Sequence, residues 1–154
     1  MTEDHTSKTR TDYAERFHKA ILATNRKVVS WISARLEDGL TIQQCFILQQ
    51  IADDERTTSS LLAERMEVKP SAITVIIDRL VQNGFVERLA DQGDRRVTLL
   101  KLSEKGVAAL KKVQNQFHVV NRRILEVLDE SEVEPLIRSF ERIAEAASKL
   151  EEME

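Results

Sequence analysis

Residues 58–106 read TSSLLAERMEVKPSAITVIIDRLVQNGFVERLADQGDRRVTLLKLSEKG, and this stretch decides the fold. Thr58 predicts a cap for a short helix over Ser59–Met66, its hydroxyl oxygen taking an otherwise orphan backbone N–H. Pro70 then stands where a first-turn proline is tolerated, because its missing N–H would be unpaired in any case. The helix it opens runs to about Asn83 with Ile73, Ile76, Ile77 and Leu80 on one face, and Gly84 stops it as a left-handed cap. Phe85–Leu89 and Val97–Leu102 are rich in β-branched and apolar residues. The polar Asp91-Gln92-Gly93-Asp94 lies between them, so the pair reads as a β-hairpin with a loop longer than a tight two-residue turn. Two short helices, a four-residue connection and a hairpin make a winged helix-turn-helix pattern. Ala63 is small where the helices cross, and Leu62, Met66, Val68, Ile73 and Ile76 fill the core between them.

Working outward, Tyr13, Phe17, Ile21, Val28, Trp31, Ile32 and Leu36 follow helical spacing, and Gly39 is expected to end that helix. Thr41 predicts the cap of a second helix with Cys45, Phe46, Leu48, Ile51 and Ala52 on its apolar face, closed by the charged cluster Asp53–Arg56. Downstream, Ser103 caps a long helix expected to reach Leu128, with Val107, Leu110, Val113, Phe117, Val120 and Ile124 on its inner face. Ser131 and Glu134 predict a capping box for a last helix carrying Leu136, Ile137, Phe140, Ile143, Ala147 and Leu150. The fold class is therefore mainly α with a small β-hairpin wing. Residues 1–12 are expected as a disordered tail and 13–154 as a single domain. Within it, 13–40 and 103–154 form dimerisation helices around a winged lobe at 41–102. Trp31, Ile32, Phe117, Phe140 and Leu150 lie on helices too long for so small a lobe to cover, which is the physical reason to expect a homodimer. Its interface is assigned to Tyr13, Phe17, Ile21, Phe140, Ile143 and Leu150.

The chain has 154 residues with 23 Lys and Arg against 26 Asp and Glu, a net charge of −3. Residues 129–154 carry nine acids and three bases, whereas residues 69–101 carry six bases and four acids. A polyanion-binding surface should accordingly be central. No apolar run approaches the roughly 20 residues of a membrane span, and the first twelve residues hold no secretory core. The expectation is a cytoplasmic protein with no membrane partner. A single cysteine, Cys45, excludes an internal disulfide framework and a multi-thiolate zinc site. His5, His18 and His118 lack ligand-like spacing, so no metal is expected. Neither a phosphate loop nor a nucleophile motif is visible, and the reading is of a non-enzyme without cofactors.

The second helix of the central pair presents Ser71, Thr74, Val75, Asp78, Arg79 and Gln82 outward. Such a helix can enter a major groove with its N-terminal residues near base edges. Asp94-Arg95-Arg96 stands at the hairpin tip, where clustered arginines can enter a narrow, negative minor groove. The DNA-binding residues are assigned as Lys69, Ser71, Thr74, Val75, Arg79, Arg88, Asp94, Arg95 and Arg96. The alternative is a winged-helix protein-interaction module without DNA binding, suggested by the low charge of the helix, where Asp78 nearly cancels Arg79.

These residues resemble the multiple-antibiotic-resistance regulator (MarR) family of winged-helix transcription factors over roughly residues 13–150. The carriers are Thr41-Ile-Gln-Gln44, Leu62-Ala63-Glu64-Arg65, Ser71-Ala72-Ile73-Thr74, Asp78-Arg79-Leu80, Asn83 to Arg88, Asp94-Arg95-Arg96 and Leu102-Ser103-Glu104-Lys105-Gly106. The resemblance implies a triangular dimer whose terminal helices interlock while two winged lobes straddle a pseudo-palindromic double-stranded operator. It further implies repression relieved by a small-molecule effector bound between the lobes. By position, Arg96 corresponds to the wing arginine in the minor groove, with Asp94 orienting the wing, and Ser71, Thr74 and Arg79 fall on the recognition helix. An effector pocket would draw on His18, Phe46, Phe117 and His118. The chain departs from the family at Glu67, where glycine is usual in the turn, at Lys69, where serine caps, and at Cys45, usually aromatic. On its apolar face Cys45 reads as a buried, inert thiol.

Overall fold

The computed structural model describes residues 3–37 and 39–150, with side chains from Arg10 onward. The elements run α1 (Glu3–Ser33), α2 (Ile42–Asp53), α3 (Ser59–Arg65), α4 (Pro70–Gln82), β1 (Val86–Ala90), β2 (Thr98–Leu102), α5 (Glu104–Leu125) and α6 (Glu130–Ser148). They fall into two compact units, Met1–Phe117 and His118–Glu154. The expected lobe boundary at 102/103 thus lies inside the first unit.

The first unit differs from expectation at α1. The helix continues back to Glu3 through most of the segment expected as a disordered tail. That segment holds neither glycine nor proline to break it, and farther along Lys19 reaches back to Glu15 one turn earlier. Met1 and Thr2 lie outside the described residues. At its other end α1 stops at Ser33, six residues before Gly39, tightening through Arg35 N–H to Ile32 C=O at 2.8 Å. Gly39 sits beyond it in the connection with φ +71°.

Thr41 caps α2 as expected. Gln44 N–H donates to the Thr41 hydroxyl at 3.2 Å and the Gln44 side chain accepts from Thr41 N–H at 2.9 Å. The buried face of α2 is Cys45, Ile47, Leu48 and Ile51. Phe46 and Ala52, expected inside, are exposed, and Ile47 takes the place assigned to Phe46. Four successive apolar residues cannot all face one side of a helix. The neighbours choose, and here α3, α4 and α5 build one core with α2 from Leu62, Ile73, Ile77, Leu80, Leu110 and Val113. Burial pushes the Cys45 thiol up to about 11, so the reactive thiolate is scarce at neutral pH.

The hairpin is antiparallel, with Val86 opposite Leu102 and Ala90 opposite Thr98. Its position against α4 is set by a clasp at the start of α5. Ser103 N–H donates to Phe85 C=O at 3.0 Å and Ser103 Oγ donates to Gly84 C=O. Ser103 Oγ in turn accepts Gly106 N–H at 3.0 Å, which caps α5. Lys105 Nζ donates to Asn83 C=O at 3.0 Å and lies 4.3 Å from the centre of the Phe85 ring.

In the second unit, α6 is capped two residues earlier than expected. Glu132 accepts Asp129 N–H at 2.9 Å, so Asp129 and Glu132 form the box assigned to Ser131 and Glu134. The earlier box places Glu130 and Glu132 in the first turn, where the helix dipole favours negative charge. No residue of α6 is buried, and Ile137, Phe140 and Ile143 form an exposed apolar row.

Candidate nucleic-acid interface

Thr58 caps α3 through Leu61 N–H at 3.2 Å. The helix closes with Val68 N–H on Ala63 C=O and Glu67 N–H on Glu64 C=O, both 3.0 Å. This closure needs a left-handed residue after the cap, and Glu67 supplies it at φ +51°. The departure from glycine is therefore met with strain rather than by a different turn. Lys69 then enters α4 without any side-chain cap, and Pro70 occupies its first turn. At the far end Gly84, at φ +77°, closes α4 in the same way as Glu67 closes α3, with Phe85 N–H on Leu80 C=O at 2.9 Å.

Ile73, Ile77 and Leu80 are fully buried, which turns Ser71, Thr74, Val75, Asp78, Arg79 and Gln82 outward to solvent, as the sequence predicts. The Thr74 hydroxyl donates to Pro70 C=O at 2.9 Å. Asp78 does not offset Arg79. Its carboxylate accepts from Arg88 of β1 at 2.6 Å, so Arg88 is tied to α4 as a brace between helix and hairpin. Lys69, Arg79, Arg95 and Arg96 are exposed, and none of them forms an ion pair with another described residue.

The wing loop runs from Asp91 to Val97. At its tip Asp94 Oδ1 accepts Arg96 N–H at 3.0 Å, and Val97 N–H reaches Asp94 C=O at 2.9 Å. At its base stands a residue the sequence reading did not assign. Asp91 is 7% exposed, and its carboxylate accepts from Arg56 Nη2 at 2.8 Å. The Arg56 hydrogen bond and those from Gly93 and Asp94 N–H hold its carboxyl below the ordinary value, against the opposing effect of burial. Arg56 belongs to the α2–α3 connection, whose Thr57 C=O accepts Leu100 N–H at 2.8 Å. Its neighbour Asp54 takes Arg56 N–H at 2.9 Å and Arg65 of α3 at 2.7 Å. The N–H of Arg56 and the Arg65 side chain lower the Asp54 carboxyl as well. One short connection thus holds both the wing and α3. Arg56 and Asp91 are 35 residues apart, and in the sequence Asp91 reads only as one of the polar residues of the hairpin loop.

None of the residues assigned to an effector lines the cleft formed within the first unit. His18 is exposed on α1, Phe46 is 54% exposed on α2, Phe117 packs partly buried against the core, and His118 is exposed in the second unit. A cleft of about 220 Å³ lies instead between the chain after α1 and the middle of α5, with Arg35, Leu36, Leu40, Ala109, Val113 and Gln116 among its walls. Glu37 and Lys112 pair at its rim. Of the assigned dimer residues, Tyr13, Phe17 and Ile21 expose apolar surface on α1, and Phe140, Ile143 and Leu150 do so in the second unit. Ile32, expected to need a partner chain for cover, is fully buried within the protomer.

The MarR family model matches residues 40–98. The transcriptional repressor MdtR of Bacillus subtilis is 34% identical over 111 residues, which is 72% of this chain and 72% of that protein. Among solved structures, YusO of Bacillus subtilis is 29% identical with a TM-score of 0.71, over 88% of this chain and 97% of its own. A mutant MarR from E. coli complexed with operator DNA is 25% identical with a TM-score of 0.65, over 83% and 93% of the two chains. The likeness extends well beyond the winged lobe.

Proposed function

The chain belongs to the MarR family, and on that premise we propose that it is a homodimeric, sequence-specific DNA-binding regulator of transcription, a repressor released by a small-molecule effector. Residues 41–102 bind the duplex, 13–40 and 103–154 join the two copies, and the protein works in the cytoplasm without catalysis. The observation that carries this reading is the arrangement of Lys69, Arg79, Arg95 and Arg96. These four cations form no ion pair with another described residue, and they flank an outward helix face and a wing tip. Counterions released from phosphates on contact with such groups drive association. Ser71, Thr74 and Val75 face the major groove, Arg96 enters the minor groove, and Asp94 fixes the loop that presents it. Arg88 acts at one remove by bracing α4. The docking-module alternative leaned on a helix made neutral by Asp78, and that carboxylate is engaged by Arg88 instead. Tyr13, Phe17, Ile21, Phe140, Ile143 and Leu150 carry the dimer contact.

The deciding experiment is DNA binding by Arg96→Ala across a range of salt. It should lose about 1–3 kcal/mol of affinity with its fold and dimer intact. The slope of log K against log salt should also fall in magnitude by about one unit for each phosphate no longer neutralised. Unchanged affinity and slope in a normally folded variant would remove the wing from the mechanism.

A further inference from the structure

The outward side of α4 carries a set of chemical groups that bears on which bases it reads. Val75 lies opposite the buried Ile73, Ile77 and Leu80 and is 54% exposed, the one large apolar side chain on that side. The first two turns are those that come closest to base edges when such a helix enters a major groove. Their outward residues are Ser71, Ala72, Thr74 and Val75. None of these offers the paired donor and acceptor groups that read guanine or adenine in two bonds. The Thr74 proton is committed to Pro70 C=O at 2.9 Å, so this side chain turns a methyl and a lone pair outward. Asp78, the group suited to a cytosine amino group, is held by Arg88 at 2.6 Å.

Only thymine displays an apolar group, its C5 methyl, on the major-groove edge. Lys69 at the helix entry and Arg79 nearly three turns on stand to either side of Val75 and form no ion pair with another described residue. They suit phosphates, which commits the occupant of this face to a nucleic-acid duplex rather than an apolar protein surface. We propose that α4 selects its half-site through thymine methyl groups, with Val75 as the reading side chain and the Thr74 methyl beside it. The inference rests on the reading of α4 as the helix that enters the major groove.

The test uses the full chain and duplexes that it enriches from a random-sequence pool, resynthesised with deoxyuridine for thymidine at one position at a time. Uracil keeps every hydrogen-bonding group of thymine and lacks only the methyl. At one or two positions in each half-site the exchange should weaken binding roughly fourfold, the worth of one methyl left uncovered. Val75→Ala, a surface change with an unaltered melting temperature, should flatten the difference between thymine and uracil there. Equal affinity at every position, on a duplex still bound far more tightly than random DNA, overturns the methyl inference and leaves DNA binding standing. A difference that persists undiminished in Val75→Ala overturns it too. Enrichment of no sequence at all overturns both.

Discussion

A Cβ added to Gly106 would stand 2.1 Å from the carbonyl oxygen of Phe85 and 3.1 Å from its carbonyl carbon, where the yielding group is backbone and cannot swing aside. The Leu102-Ser-x-x-Gly106 run was legible in the sequence as a family feature. Its cause was not, because the contact joins the first turn of α5 to the residue after the α4 cap. Gly106→Ala should therefore cost about 1–3 kcal/mol, the range for forced overpacking, in urea denaturation. A midpoint equal to that of the parent would show that α5 can withdraw freely. Glu67 presents the opposite case. Its φ of +51° places a side chain in the left-handed region, and Glu67→Gly should raise stability by about 0.5–1 kcal/mol once the greater chain entropy of glycine is subtracted. A lower urea midpoint at unchanged slope would mean that the turn carries no strain.

At the scale of elements, most caps and breakers were readable because they act within one turn, the end of α1 and the box of α6 excepted. Thr41, Thr58, Gly84 and Ser103 all stand where the sequence put them. What was not readable depends on partners far along the chain. Cys45-Phe46-Ile47-Leu48 is uniformly apolar, and only the packed neighbours decide that Ile47 goes in and Phe46 out. Asp91 was read as loop polarity, yet it ties the wing to the α2–α3 connection through Arg56. Asp91→Asn should weaken DNA binding less than Arg96→Ala does, through a looser tip, while the fold survives. The carboxyl is depressed in the folded protein, so its contribution is complete above the ordinary aspartate value of about 4 and is lost as pH falls through the lower folded value. Acid titration of the parent and Asp91→Asn should therefore converge below that range. Parallel curves throughout would take Asp91 out of the linkage.

For the whole molecule, Tyr13, Phe17 and Ile21 on α1 and Ile137, Phe140 and Ile143 on α6, which helical spacing revealed, remain exposed in one protomer. Sequence spacing could show that these faces exist but not how each pairs, since a second copy shares every motif with the first. Deleting residues 129–154 should yield a chain that sediments as a monomer and binds DNA far more weakly, without the linkage of two lobes. An intact, soluble dimer from the truncated chain would place the interface elsewhere.

The hydrogen bond from Leu100 N–H to Thr57 C=O has a consequence for crowding. A two-stranded sheet ordinarily offers both borders as templates for any extended chain that passes. Here the middle of β2 is already occupied from outside by its own α2–α3 connection, so a stray strand meets a donor that is spent. Copies gathered at high local concentration along one stretch of DNA are thereby kept from zipping wing to wing through β2. The segment that steadies the wing for its target also keeps it from its own kind.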